Sequence, residues 1–148
     1  MAKQLPDDFR DFLKLCNLKR VKYLLIGGYA VGFYGYPRAT GDMDIWIERS
    51  AANAEKMVAV LKEFGFDVPV LSVELLLEKG KIVRMGMPPI RLEILNDISG
   101  VEFAACYPLR ERGMMDGIRV DVIRLKDLKT NKKAAGRPKD LDDLEQLP

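Results

Sequence analysis

Two aspartates separated by one residue form a pair of carboxylates that could bind metal ions. Asp42 and Asp44 lie in the segment GDMDIWIE, where acidic and apolar residues alternate. Side chains at alternate positions of a strand share a face, about 6.6 Å apart at roughly 3.3 Å per residue. Two carboxylates on a rigid strand are hard oxygen ligands suited to one or two Mg²⁺ ions beside phosphate oxygens. The pattern predicts a divalent-metal site, with Mg²⁺ or Mn²⁺ as cofactor.

A third acid is expected from a second alternating segment. In residues 90–95 the apolar side chains take one face, and Arg91, Glu93 and Leu95 take the other. Glu93 is therefore the predicted third catalytic acid and metal ligand, because a metal pair needs further oxygen ligands. Asp121, in the segment RVDVI, is the alternative third acid.

A glycine turn upstream of the aspartates predicts a phosphate contact. The apolar run 21–26 ends at Gly27 and Gly28, and residues 29–34 can turn helical. Backbone N–H groups at such a turn can receive an anion with no Cβ in the way. The following loop brings Arg38 and Thr40 toward the acids, where both are predicted to contact nucleotide. Arg38 could bind phosphate with its two N–H groups or pair with an acid such as Asp42.

Trp46 falls on the same strand face as the two aspartates. It could stack on a nucleotide base or pack against a neighbouring helix, and packing is the commoner role for such a residue.

Hydrophobic periodicity predicts the helices and strands that carry these residues. Helices are predicted over 7–18, 51–64, 73–78, 125–135 and 138–147, and strands over 21–26, 42–48, 81–85, 90–95 and 118–123. This order predicts an α+β fold, with a mixed β-sheet flanked by helices and a helical C-terminal segment. No repeat or linker divides the chain, so one domain over 1–148 is expected.

Composition excludes several kinds of site. The chain has no histidine, which rules out Ser-His-Asp and Cys-His catalysis and histidine-bound zinc. Its two cysteines, Cys16 and Cys106, lack metal-ligand or redox spacing and indicate a reducing compartment. No stretch approaches the roughly 18 apolar residues of a membrane span. A cytoplasmic protein without a membrane partner is expected. A formal net charge of +2 is too small to indicate nucleic-acid binding by itself.

Taken together, the glycine turn, the loop and the Asp-x-Asp pair in GGYAVGFYGYPRATGDMDIWI resemble the nucleotidyltransferase superfamily related to polymerase beta. The segment is similar to the abortive-infection group, which includes toxins of toxin-antitoxin systems. The C-terminal segment LKDLKTNKKAAGRPKDLDDL also resembles that group. The resemblance implies transfer of a nucleoside monophosphate from a nucleoside triphosphate to an acceptor hydroxyl, with release of pyrophosphate.

The resemblance also assigns roles to residues. It implies that Gly27 and Gly28 contact the triphosphate and that Asp42 and Asp44 hold the metals. Glu93 stands where the superfamily usually has an aspartate that helps to activate the attacking hydroxyl. In the tail, Lys132 or Lys133 is predicted to neutralise triphosphate charge, oriented by Asp140 and Asp143; the alternative for each is a solvated helix pair docked on the sheet.

Two other functions stay open. Glu93 in place of aspartate, and a chain of only 148 residues, are compatible with a catalytically weak or inactive module that binds nucleotide or a protein partner. The other is a toxin-type transferase that has RNA as its acceptor and binds the RNA through the basic segment 124–139.

Overall fold

Strands and helices alternate along most of the chain, in a computed structural model that describes residues 5–37, 40–87 and 90–148. The helices in these ranges are α1 (Asp7–Leu18), α2 (Gly27–Phe33), α3 (Ala51–Phe64), α4 (Val73–Leu77), α5 (Phe103–Cys106), α6 (Leu125–Ala135) and α7 (Pro138–Gln146). The strands are β1 (Tyr23–Ile26), β2 (Asp42–Ile47), β3 (Ile82–Met87), β4 (Ile90–Leu95), β5 (Glu111–Met115) and β6 (Ile118–Val122).

All six strands form one mixed sheet in the order β3-β4-β2-β1-β6-β5. Strand β2 runs antiparallel to β1 and parallel to β4, and β1 runs parallel to β6. The predicted mixed sheet flanked by helices, with a helical C-terminal segment, is confirmed. The order places the strand that carries both aspartates near the middle of the sheet, with neighbours on either side.

Alternation along β2 separates a core face from a polar face, as predicted. Met43 and Ile45 are fully buried on one face. On the same face Tyr23 of β1 donates its hydroxyl to Asn17 Oδ1 of α1, at 3.0 Å. Helix α1 in turn meets α3 through an edge-to-face contact between Phe12 and Phe64. The main apolar layer therefore lies between the sheet and these two helices, which leaves the opposite face of β2 for Asp42 and Asp44.

Trp46 shares the face of the aspartates but is buried there. Its side chain is 1% exposed, and its ring meets Phe103 of α5 edge-on with centroids 5.1 Å apart. Of the two interpretations, packing against a helix is confirmed.

Several boundaries differ from the predicted ones. Strand β1 begins at Tyr23 and α2 already begins at Gly27, so the glycine pair belongs to the first turn of the helix. Strand β5 was not predicted, because its sequence ERGMM lacks alternation and it lies at the edge of the sheet. A usable signal was present in Asp116-Gly117, which joins β5 to β6 with φ angles of 51° and 80°.

None of the helices in the described ranges combines the length and the apolar character needed to cross a membrane.

Candidate functional site

A cleft of about 700 Å³ opens over the polar face of the sheet. Its floor is formed where β1 ends and where β2 and β4 begin, and its far wall comes from α6 and α7. The residues with functional side chains or glycine backbone along it are Gly27, Gly28, Thr40, Asp42, Asp44, Arg84, Arg91, Glu93, Asp97, Asn131, Lys132, Arg137 and Lys139. Both carboxylates of the Asp-x-Asp pair, the third acid and the glycine turn thus meet in one place.

Strand register explains why these side chains converge. Asp44 lies between Ile26 of β1 and Glu93 of β4, and Asp42 lies beside Arg91. Since neighbouring strands present paired residues on the same face, the register sets Glu93 next to Asp44. Glu93 is therefore brought to the two aspartates, as predicted from its alternation.

Asp44 is the most unusual group in the cleft. Its Oδ1 atom is buried and has no hydrogen-bond partner among the residues that the structure describes. Burial, followed by the neighbouring Glu93 carboxyl and then Asp42, raises the pKa of Asp44 to about 7. Buried carboxylates normally find a donor, so an acid left in this state is suited to accept a positive ligand.

Asp42 is in the opposite electrostatic state. Arg91 donates two hydrogen bonds to it, Nε to Oδ1 at 2.6 Å and Nη2 to Oδ2 at 2.9 Å. This two-point contact lowers the pKa of Asp42 below its ordinary value. Glu93 is held by Arg84 Nε at 2.9 Å, with Arg91 Nη2 3.7 Å away. Two arginines therefore balance the acids along the β3–β4 side of the cleft.

The glycine turn lies directly against the acids. Gly27 has a φ of +67°, and a Cβ there would collide with the Asp44 carboxylate. A Cβ on Gly28 would come within 3.0 Å of Thr40 Cβ, and the Thr40 hydroxyl donates to the Asp42 carbonyl oxygen at 3.1 Å. Both glycines are needed for this close packing, and Thr40 fixes the start of β2.

Lys132 lines the cleft but its ammonium is already paired. Its Nζ lies 3.2 Å from Asp140 and 3.0 Å from Asp143, and all three side chains are buried. The expected grouping of Lys132 with Asp140 and Asp143 is therefore present, and it joins α6 to α7. Arg137 adds a hydrogen bond from Nε to Asp140 at 2.6 Å.

The remaining predicted residues lie elsewhere. Asp121 is buried in β6, where Arg110 Nε approaches its Oδ1 to 3.4 Å, so this alternative third acid does not line the cleft. Arg38 lies outside the described residues. Sequence reasoning did not single out Arg91 or Lys139 as site residues; for Arg91, its alternation with Glu93 was a usable signal.

The donor set fits a divalent cation in chemical type, and Asp44 carries an oxygen that needs a partner. Within the described ranges, however, no three His, Cys, Asp or Glu side chains are grouped closely enough to form a ready metal site. The arginine pairing of Asp42 accounts for this, since both of its oxygens face Arg91. A cation bound by Asp42 as well as Asp44 would have to compete with Arg91.

Comparison with known proteins supports the fold. No family model matches the chain, and no curated protein sequence matches it. Among solved structures, Thermotoga maritima TM1012, provisionally named a nucleotidyltransferase, has a TM-score of 0.64 at 18% identity, over 93% of this chain and 88% of its own. JHP933 from Helicobacter pylori has a TM-score of 0.49 at 17% identity, over 95% of this chain and 62% of its own. The chain has a nucleotidyltransferase-like fold.

Proposed function

We propose that this protein is a metal-dependent nucleotidyltransferase that moves a nucleoside monophosphate from a nucleoside triphosphate to an acceptor hydroxyl. The observation that carries the proposal is the convergence of Asp42, Asp44 and Glu93 with the Gly27-Gly28 turn in one cleft of a nucleotidyltransferase-like fold. Acids from two strands and a glycine turn from a third element are the parts that this chemistry needs.

Asp42, Asp44 and Glu93 would hold Mg²⁺ or Mn²⁺, which neutralises charge on phosphate oxygens when bound. The unpartnered Asp44 oxygen supports a cation at this point. Gly27 and Gly28 line the cleft with Asp44 and Thr40 packed against them, and their backbone would contact the phosphates. Arg38 and Lys132 remain proposed nucleotide contacts.

In the proposed reaction the acceptor oxygen forms a bond to the α-phosphorus. The bond from that phosphorus to the oxygen bridging to the β-phosphate breaks, and pyrophosphate leaves. Glu93, which lies beside Asp44 on the cleft floor, accepts the hydroxyl proton. The acidic floor then needs positive charge opposite it to bind the phosphate chain, and cations line the walls of the cleft.

A second candidate is a module that binds nucleotide or a protein partner without turnover. The observation that favours it is the two-point contact of Arg91 with Asp42, which occupies both oxygens of a proposed metal ligand. An arginine that never releases Asp42 would leave a cleft able to bind phosphate but poor in metal.

Label transfer tests the proposal and separates it from the second candidate. Each α-labelled nucleoside triphosphate is incubated with Mg²⁺ or Mn²⁺ and with RNA and protein extracts, comparing the native chain with Asp42→Ala/Asp44→Ala. Asp142→Ala is the matched control, since Asp142 is an exposed acid of α7 that does not line the cleft. Thermal unfolding of each variant verifies that it is folded.

Label in the native and Asp142→Ala proteins, absent from the double variant, is the expected result and identifies both nucleotide and acceptor class. Label on RNA would favour the toxin-type transferase. Equal labelling by the double variant would contradict the assignment of the aspartates. Triphosphate binding without any label would favour the non-catalytic module.

A further inference from the structure

The positive charges around the cleft differ in whether they are already neutralised. Most of them have a carboxylate partner: Arg84 with Glu93, Arg91 with Asp42, Lys132 with Asp140 and Asp143, and Arg137 with Asp140. Lys139 is the exception among the cleft-lining cations that the structure describes, since no ion pair or hydrogen bond engages its ammonium group. It is exposed, and its charge is available to a ligand.

The positive charge of Lys139 acts to lower the pKa values of both aspartates on the cleft floor. Burial raises the pKa of Asp44, and Lys139 acts on that pKa in the opposite direction. The Arg91 hydrogen bonds lower the pKa of Asp42, and Lys139 adds to that effect. Lys139 and both aspartates line the same cleft, with the lysine on the α7 wall and the aspartates on the floor.

Buried ion pairs next to Lys139 hold the first turn of α7 in place. Asp140, the next residue in α7, is buried and bonded to both Lys132 of α6 and Arg137. Removing one partner of a buried ion pair is costly, so the first turn of α7 is fixed against α6. Lys132 gives two of its three ammonium donors to this cluster, while Lys139, the residue before Asp140, lines the cleft.

We infer that Lys139 binds the phosphate chain of the nucleoside triphosphate in the proposed site. The inference rests on the proposed function and names the residue that supplies positive charge opposite the acids. A lysine ammonium is a compact charge on a flexible stem, well suited to phosphate oxygens whose exact position changes as pyrophosphate forms. Lys132, in contrast, already pairs with two buried carboxylates, so binding phosphate in their place would break the buried cluster.

Binding of inorganic tripolyphosphate tests this inference without knowledge of the base. Isothermal titration calorimetry with Mg²⁺ compares the native chain, Lys139→Gln and the matched control Lys133→Gln, an exposed lysine of α6 that does not line the cleft. We expect Lys139→Gln to weaken binding about tenfold, or about 1.4 kcal/mol. The control should stay within about twofold of the native affinity, a difference of roughly 0.4 kcal/mol.

Three further outcomes separate this inference from the proposed function. Equal affinity of the native chain and Lys139→Gln for tripolyphosphate would overturn the role of Lys139 and leave the transferase proposal standing. If the native chain bound neither tripolyphosphate nor any of the four common nucleoside triphosphates, the proposed function and the inference would both fall. An equal loss in Lys133→Gln would also overturn the inference, because the effect would then reflect net charge.

Discussion

At the scale of single residues, Asp44 combines two properties that work against the stability of the protein. Its Oδ1 atom is buried and no described residue satisfies it, and its pKa is raised from 3.8 to about 7. The folded chain therefore binds this proton more tightly than the unfolded chain does. Stability contributed by the proton is fully present below the ordinary pKa of 3.8 and is lost as the pH rises through about 7.

The Asp44→Asn variant is therefore expected to be more stable than the native chain at about pH 8, by roughly 1 to 3 kcal/mol in metal-free buffer. At about pH 3, below the ordinary pKa of 3.8, the two proteins should unfold alike, because the carboxyl is then largely protonated in both the folded and the unfolded chain. Urea denaturation across this pH range measures the difference. Parallel pH profiles for the two proteins would show that the Asp44 proton is not linked to folding.

Arg91 is the second residue to test, because it holds both oxygens of Asp42 that the proposed cation would need. We expect Arg91→Gln to bind Mn²⁺ at least about threefold more tightly than the native chain, or roughly 0.7 kcal/mol. Electron paramagnetic resonance of free Mn²⁺ measures this affinity.

Arg84→Gln is the matched control for the Arg91 experiment. It removes an equal charge that pairs with Glu93, and no hydrogen bond or ion pair joins it to Asp42. If both variants gained affinity equally, the effect would not be specific to the pairing of Arg91 with Asp42. If neither gained affinity, Arg91 would not compete with the cation.

At the scale of elements, the contact between α6 and α7 depends on buried charge. Lys132 of α6 is 3% exposed and bridges Asp140 and Asp143 of α7. We expect Lys132→Met to lower the free energy of unfolding by about 3 to 5 kcal/mol, since it leaves buried carboxylates short of positive charge. Lys133→Met, at an exposed position of the same helix, should change it by less than about 0.5 kcal/mol.

Chemical denaturation measures the free energy of unfolding of both variants. A second substitution then tests whether uncompensated charge causes the loss. Adding Asp143→Asn to Lys132→Met should recover about 1 kcal/mol or more, because Asp140 still has Arg137. A double variant no more stable than Lys132→Met would show that lost packing, and not uncompensated charge, causes the destabilisation.

The elements also show how far the sequence alone could reach. Alternation in β2 and β4 was strong enough to predict which faces carry Asp42, Asp44 and Glu93, because one face of each strand is apolar. Strand β5 has no such pattern, and its conformation depends on pairing with β6 through the Asp116-Gly117 turn. Local periodicity cannot reveal a strand that is defined chiefly by its partner.

At the scale of the whole molecule, strand order determines which candidate acid joins the two aspartates, a choice that periodicity alone could not make. Glu93 and Asp121 were both candidates for the third acid, and each lies in an alternating strand. Of the two strands that carry them, β4 is adjacent to β2, which places Glu93 beside Asp44, while β6 pairs with the far side of β1. The pairing of Arg91 with Asp42 and the burial of Lys132 likewise depend on contacts between segments distant in sequence, which single-residue patterns do not encode.

The position of the cleft along the chain has a consequence for how the protein is made. The floor belongs to β1, β2 and β4, and the central strand β1 also pairs with β6, which is synthesised much later. A nascent chain that has emerged from the ribosome only through β4 carries all three acids but neither the α6–α7 wall nor the β6 partner of β1. Translation must therefore proceed through α7 before any phosphate ligand can meet the complete site, so ribosome-stalled fragments should display the acids without triphosphate affinity.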